Sequence, residues 1–359
     1  MEDATYLEQA IRLAERGWGR VHPNPLVGAV IVRDGEVVGE GWHRVWGGPH
    51  AEVEAIREAG YRSADATLYV SLEPCAHRGK TPPCTDAIAA AGIRRVVFGA
   101  VDTTDRAGGG AELLRQRGII VEGPLAAEAV RRQNRPFFHV QETHSTYVAL
   151  KLAMSLDSRI SRTATAPTQL TGPEAMAEVH RLRAGHDAIL VGRGTGAADD
   201  PRLTVRGAVE PRVTPARILL DTDANLGPAL RMLTGDAARV FVIVSASAPA
   251  ERVRALESAG AHVLHVPPAA AGVDLRIAFQ KLREHGIDTV FCEGGGRVAA
   301  SLLEADLVQR LYLFIAPTFL GPDAVPAFAA GAVDARRLHV VETRTLGRDA
   351  LLVLDRDRG

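Results

Sequence analysis

Residues 47–56 read GGPHAEVEAI, and residues 71–88 read SLEPCAHRGKTPPCTDAI. Each stretch carries metal-binding side chains at a junction between elements. His50 and Glu52 open the helix HAEVEAIREAG, which Gly60 closes. Cys75 follows the strand ATLYVSL, and Cys84 opens the helix CTDAIAAAG. Strand ends and helix starts along one sheet edge converge in space. This predicts an α/β layer that brings His50, Cys75 and Cys84 together.

Two thiolates and an imidazole suit Zn²⁺. Three protein ligands leave a fourth tetrahedral position for water, as catalytic zinc requires and structural zinc does not. His-x-Glu with a later Pro-Cys and a second cysteine is the zinc-deaminase signature, in which the glutamate is not a ligand. Taken singly, His50 reads as a helix cap, the cysteines as buried thiols and Glu52 as a solvated helix charge. The joint pattern predicts one zinc per chain, with Glu52 as the catalytic acid-base. Zinc lowers the pKa of its water to about 7. Glu52 then takes the water's proton, protonates a ring nitrogen and delivers a proton to departing ammonia as hydroxide attacks the amino-bearing carbon. Cys292, in an apolar run without ligand partners, reads as a buried structural thiol.

The chain has 359 residues, 46% hydrophobic and 24% charged, with a formal net charge of −1. Its pI is about 6.9. That length suits two domains, and the balance argues against a nucleic-acid or membrane-surface binder. No apolar run approaches the ~20 residues of a membrane span. The N-terminal MEDATYLEQAIRLAERG reads as an amphipathic helix and not a signal peptide, and three cysteines are too few for a disulfide framework. The expected setting is cytoplasmic.

Elements alternate along the chain. LVGAVIVRDGEVVGEGWH reads as a hairpin across Asp34-Gly35. Strands and helices then alternate to IIVEG, and LAAEAVRRQNRPFFHVQETHS reads as one closing helix with a linker. A new strand, YVALKLAMSL, opens a second α/β domain. The expected domains are 1–145 and 146–359.

The insert AHRGKTPP separates the cysteines more widely than the Pro-Cys-x-x-Cys turn of many deaminases. It brings His77, Arg78, Lys80 and Thr81 to the mouth of the site, donors that suit a phosphate or a polar heterocycle. With HPNPLVGAVIV, GGPHAEVEA, SLEPCAHRGKTPPC, LKLAMSLD, TGPEA, RLRAGHDAILVG, DDPRLTVR and EGGG in order, the chain resembles the bifunctional deaminase/reductase of riboflavin biosynthesis over nearly its whole length. The resemblance implies a cytidine-deaminase-like three-layer domain followed by a dihydrofolate-reductase-like domain. It implies deamination of 2,5-diamino-6-ribosylamino-4(3H)-pyrimidinone 5′-phosphate and then NADPH-dependent reduction of the ribosyl to a ribityl chain. The expected partner is thus a phosphorylated pyrimidine, with no nucleic acid and no membrane. A homo-oligomer is left open.

In the first domain the resemblance sets Asn24 at the base pocket. In the second it implies cofactor contacts at Ala153, Thr195, Asp199, Thr222 and Gly295, Gly296, Arg297, Val298, Ala299, Ala300 and Ser301. It implies substrate contacts at Arg183, Leu203, Arg206 and Glu293, and the two arginines suit a 5′-phosphate. Lys151 is read as holding the ring or the sugar. Lys151, Asp199 or Glu293 is expected to assist proton movement during hydride transfer. VFCEGGGRVAASLL reads as strand, glycine turn and helix, and VGRGTGAADDP as a second glycine-rich turn. The family commonly has Ser-x-Trp where this chain has Pro167, Thr168 and Gln169, so the substrate position at Pro167 lacks a hydroxyl and the cofactor position at Gln169 lacks an indole. Three other readings compete: a deaminase with a catalytically degenerate reductase-like domain, a zinc-stabilised binding module, and a nucleic-acid base deaminase.

Overall fold

The computed structural model describes residues 2–79, 81–104, 108–234, 238–270, 272–328 and 338–356. The chain divides into two compact units, Met1–His144 and Ser145–Gly359.

The first unit runs α1 (Glu2–Ala14), β1 (Gly28–Arg33), β2 (Glu36–Trp42), α2 (Ala51–Ala59), β3 (Thr67–Leu72), α3 (Cys84–Ala90), β4 (Arg95–Ala100), α4 (Gly110–Gln116), β5 (Ile120–Glu122), α5 (Ala127–Gln133) and α6 (Arg135–Thr143). Its mixed sheet has the order β2-β1-β3-β4-β5. Pairing is antiparallel from β2 to β3 and parallel from β3 to β5. The hairpin turns at Asp34 and Gly35, with φ of 51° and 80°, as an Asp-Gly pair favours. Alternating side chains feed two layers. Ala29, Ile31, Leu68 and Val70 pack with Ala55 of α2, Ile88 of α3 and Leu114 of α4. Val30, Val32, Tyr69 and Val97 pack with Leu7, Ala10 and Leu13 of α1. This sheet between helical layers is the expected three-layer fold.

Helix α2 carries the candidate metal ligand and lies unusually close to β2. A Cβ on Gly39 would sit 2.4 Å from Ala55 O, and one on Gly41 would sit 2.2 Å from Ala51 O. Glycine is therefore what allows this approach. The expected single closing helix is two helices, α5 and α6, divided at Asn134. Pro136 falls in the first turn of α6, where its missing N–H costs nothing.

The second unit runs β6 (Tyr147–Ser155), β7 (Arg159–Ser161), α7 (Pro173–Ala184), β8 (Ala188–Gly192), α8 (Arg193–Asp199), β9 (Ala216–Leu220), β10 (Val240–Ser245), α9 (Ala250–Ser258), β11 (His262–Val266), β12 (Pro268–Ala269), β13 (Gly272–Val273), α10 (Leu275–Glu284), β14 (Thr289–Cys292), α11 (Gly296–Glu304), β15 (Arg310–Ala316), β16 (Val325–Pro326), β17 (Leu338–Leu346) and β18 (Asp349–Arg356). The large sheet has the order β11-β10-β9-β8-β14-β6-β15-β18-β17. It is parallel from β11 to β15 and ends in the antiparallel pair β18-β17. Its middle strands are mostly apolar, as a sheet covered on both faces requires, with Lys151 of β6 and Arg217 of β9 as charged exceptions. Leu190, Ile218, Phe241 and Ile243 pack with Phe279 and Leu282 of α10 and Leu302 of α11. Ile189, Val191, Leu219 and Val242 pack with Val253 and Leu256 of α9.

Two features of this unit differ from the sequence expectation. The stretch 193–199, read as a glycine-rich turn, is the helix α8. Its Gly196 serves close packing: a Cβ there would sit 2.8 Å from Leu226 Cδ1. The hairpin β17–β18 was not anticipated, because β17 is half-exposed along its length and lacks apolar alternation.

Candidate active sites

In the first unit, His50 lies at the N-cap of α2 and Cys84 is the first residue of α3. Cys75 lies on the loop that follows β3. The loop is anchored by Glu73, a buried carboxylate that the sequence reading missed. Glu73 Oε1 accepts from Ala111 N at 3.0 Å and Oε2 from Asp102 N at 3.3 Å. Thr85 N donates to Cys75 O at 3.3 Å. These bonds tie the cysteine loop to α3, α4 and the end of β4.

The ligand atoms of His50, Cys75 and Cys84 lie within 4.8 Å of one another. His50 Nδ1 is 3.1 Å from Cys84 Sγ and 3.5 Å from Cys75 Sγ. Zinc bonds of about 2.3 Å to sulfur and about 2.0 Å to nitrogen, at tetrahedral angles, set such N···S separations at roughly 3.5 Å. The donor set therefore fits Zn²⁺ in both chemistry and spacing. Hydrogen bonds from Cys84 hold the Cys75 thiol below the usual range despite burial, with His50 acting in the same direction, while the same pairing pushes Cys84 up. Glu52 is 3% exposed, and burial pushes its carboxyl above the usual range, opposed by His50.

These groups open onto a cavity of about 710 Å³ whose wall includes Asn24, Trp46, His50, Glu52, Cys75, His77, Thr81, Phe137 and Gln141. Asn24 Nδ2 is 3.1 Å from His43 Nε2, and His43 Nδ1 is 3.0 Å from Pro49 O. A neutral His43 that donates to Pro49 and accepts from Asn24 fits both contacts, and burial lowers its pKa. This turns Asn24 Oδ1 away from His43. Asn134, 3% exposed, holds the same loop by bonding both backbone groups of Leu26. His77 Nδ1 is buried without a hydrogen-bond partner among the described residues. Lys80 lies outside the described residues.

In the second unit, pleating places Lys151 and Ala153 on the sheet face opposite Leu150 and Leu152, which are in the core with Cys292. Glu293 follows β14 on the same side as Lys151. Arg183 of α7 meets Glu293 through two bonds, Nε to Oε1 at 2.5 Å and Nη2 to Oε2 at 3.0 Å. Its Nη1 donates to Thr204 O at 2.8 Å. Burial lowers the Lys151 pKa against the opposing pull of Glu293, and Arg183 adds to the lowering. Burial raises Asp199, which Lys151 partly offsets. For Glu293 the upward push of burial is overcome by Arg183, and the carboxyl lies below its usual range. Lys151, Arg183, Asp199 and Glu293 thus form one electrostatic cluster.

The loop after α8 is joined to it. Leu203 is buried with φ of 51°, and Arg206 N donates to His180 Nδ1 at 3.2 Å. His180 was another residue the sequence reading missed. Thr195, Thr222 and Gly295 follow the carboxyl ends of β8, β9 and β14, where α/β sheets hold ligands. A Cβ on Gly295 would be 3.5 Å from Thr195 Oγ1. Gly295 caps α11 without a side-chain bond, which leaves the first amides of Gly296–Ser301 suited to phosphate oxygens. That donor set fits a dinucleotide. Arg297 is exposed on α11, Pro167 is exposed, and Gln169 Nε2 donates to Thr171 O at 2.8 Å. Cys292 is 0% exposed, and burial pushes its thiol up to about 12, as a structural thiol should be.

The fold and sites define a zinc deaminase unit joined in one chain to a dihydrofolate-reductase-like unit. Residues 1–100 match the family model for the cytidine and deoxycytidylate deaminase zinc-binding region, and residues 146–352 match that for the RibD C-terminal domain. The chain is 38% identical to the riboflavin biosynthesis protein RibD of Escherichia coli K12, covering 99% of both chains. It is 38% identical to RibD of Aquifex aeolicus, covering 89% of this chain and 88% of that one. Solved structures agree: RibD of Acinetobacter baumannii superposes with a TM-score of 0.84 at 33% identity, and the diaminohydroxyphosphoribosylaminopyrimidine deaminase/5-amino-6-(5-phosphoribosylamino)uracil reductase of Thermotoga maritima with 0.82 at 32%, each covering 99% of both chains. The chain belongs to the RibD family. It is a bifunctional enzyme of two successive steps in riboflavin biosynthesis, a zinc-dependent deamination and an NADPH-dependent reduction. No described helix is long and apolar enough to cross a membrane.

Proposed function

We propose that residues 1–145 deaminate 2,5-diamino-6-ribosylamino-4(3H)-pyrimidinone 5′-phosphate and that residues 146–359 reduce the ribosyl chain of the product, in the cytoplasm. The observation that carries this reading is the meeting of His50, Cys75 and Cys84 ligand atoms within 4.8 Å beside the buried Glu52. His50, Cys75 and Cys84 hold the zinc, which supplies a water acidified to a pKa of about 7 when bound. Glu52 is the catalytic acid-base. Its raised pKa suits a carboxyl that accepts a proton from water and returns it first to a ring nitrogen and then to ammonia. Asn24 Oδ1 accepts from the pyrimidine's amino group. His77, whose buried Nδ1 has no hydrogen-bond partner among the described residues, and Lys80 of the same insert bind the polar end of the substrate.

In the second unit, NADPH supplies the hydride, and the protein fixes distance and angle. The free amides at the start of the Gly295–Ser301 segment, those of Gly296, Arg297 and Val298, together with Thr195 and Thr222, hold the cofactor's phosphates and sugars; Ala153, Asp199 and Gln169 flank it. Arg183 and Glu293 shape the substrate site as a pair, Leu203 and Pro167 line it, and Arg206 faces the substrate's phosphate. Lys151, with its depressed pKa, donates a proton to the ribosyl ring oxygen as the C1′–O4′ bond breaks and the C1′–N iminium forms, and hydride then adds at that anomeric carbon.

The test is incubation of the full chain with the diamino-pyrimidine phosphate, with and without NADPH, followed by mass analysis. Ammonia release alone is expected without NADPH, and the reduced ribityl product with it. Deaminated product that NADPH fails to convert would limit the second unit to ligand binding.

A further inference from the structure

We infer that Thr81 is a positioning residue for the metal ligand His50 and not a substrate contact. The inference rests on the zinc reading above and assigns a task to the insert between the cysteines. His50 Nδ1 faces the two sulfurs, at 3.1 and 3.5 Å. A nitrogen that gives its lone pair to a metal carries no hydrogen, so the ring hydrogen is on Nε2. Nε2 lies 3.3 Å from Thr81 Oγ1, and the hydroxyl oxygen accepts it. Such an outer hydrogen bond fixes the tautomer and ring rotation of a metal-bound histidine and raises its basicity.

The neighbouring polar groups are occupied elsewhere. His43 packs edge-on against His50 with centroids 5.4 Å apart, and its nitrogens meet Asn24 and Pro49 O. Glu52 is buried. The chain between the cysteines accounts for how Thr81 arrives. Here eight residues, 76–83, stand between the cysteines, and Thr81 stands three positions before Cys84. Pro82 restricts Thr81 to extended backbone, and Pro83 fixes the approach to α3 with φ of −57°. The threonine hydroxyl is thus held relative to Cys84 by two prolines.

The experiment compares Thr81→Val, which removes the acceptor at nearly constant shape, with Thr81→Ser, which keeps it. Zinc affinity of each full-length chain is read by competition with a chromogenic chelator, and KM for the deaminase substrate is read at saturating zinc. Thr81→Val should bind zinc about 10–100-fold more weakly with KM unchanged, and Thr81→Ser should bind it as the natural chain does. Urea unfolding of the first unit, beside NADPH consumption on pre-formed deaminated substrate for the second, checks that each variant has folded. Unchanged zinc affinity in Thr81→Val, equal weakening in both variants, or a raised KM with normal zinc affinity would each overturn the inference. A natural chain that takes up no zinc would instead remove the reading beneath it.

Discussion

Asn134 and Leu26 form a closed pair: Asn134 Oδ1 accepts from Leu26 N at 2.7 Å, and Asn134 Nδ2 donates to Leu26 O at 3.0 Å. The carboxamide acts as a one-residue strand partner for Leu26. The loop of Leu26 carries Asn24 and Pro25 into the cavity wall. Asn134→Ala would leave both backbone groups of a buried leucine unsatisfied, at about 2–5 kcal/mol. The deaminase unit of this variant is expected to unfold at markedly lower urea, followed by loss of ammonia release. Asn134→Asp keeps the acceptor and loses the donor, so its midpoint should fall between the two.

The zinc ligands and Glu52 do separable work. Glu52→Gln should retain one zinc per chain while deamination slows by about 10²–10⁴-fold, the usual contribution of a positioned acid-base group. Removing zinc with a chelator should abolish ammonia release and leave NADPH consumption on the deaminated intermediate unchanged, because all three ligands belong to the first unit. Metal analysis beside the two assays checks both outcomes. Zinc loss from Glu52→Gln would make Glu52 a ligand.

Lys151 offers a prediction about stability as well as rate. Burial lowers its pKa below the usual 10.5, so the unfolded chain binds this proton more tightly than the folded chain does. Stability should therefore rise with pH between the depressed folded value and about 10.5. Lys151→Met removes that slope. At pH 7 the variant should be more stable, by on the order of 1 kcal/mol, while the reductase is lost and the deaminase is retained. Thermal unfolding across pH, followed by fluorescence, measures the slope. A variant less stable than the natural chain at pH 7 would show that the Glu293 and Asp199 attractions outweigh burial.

What the sequence revealed depended on distance along the chain. The β1–β2 hairpin was legible because Asp34 and Gly35 carry their own turn preference. The His50, Cys75 and Cys84 group was legible because each ligand falls at an element boundary that can be read locally, and the three residue types share one chemistry. Asn134 was not, because its partner Leu26 is 108 positions away and an asparagine between two helical runs reads as part of either. Helix α8 was hidden because Gly194 and Gly196 suggest a turn, although Gly196 makes room for Leu226. Strand β17 was hidden because an edge strand exposed on both faces leaves no apolar period to find.

His180 gave no local signal either, and its role leads to a last prediction. Burial, with Arg183 and Arg206 nearby, lowers its pKa below the usual 6.5. The ring therefore stays neutral above that value, and Nδ1 can accept from Arg206 N. One turn further along α7, Arg183 holds Thr204 O. Together the two side chains fix the loop in which Leu203 takes its left-handed backbone. His180→Leu leaves Arg206 N–H without its acceptor, at about 1 kcal/mol. If Arg206 meets the substrate's phosphate, KM of the reductase step should rise roughly 5-fold, since 1.4 kcal/mol is a factor of about ten. Its kcat should change less, and the deaminase should not change. His180→Asn, whose Oδ1 can stand near the place of Nδ1, should recover most of the loss. In the natural chain KM should stay flat from pH 8 down to 6.5 and rise only below the lowered pKa, where protonated His180 can no longer accept. Steady-state kinetics on the deaminated intermediate measure all of this, and an unchanged KM in His180→Leu would remove Arg206 from the binding site.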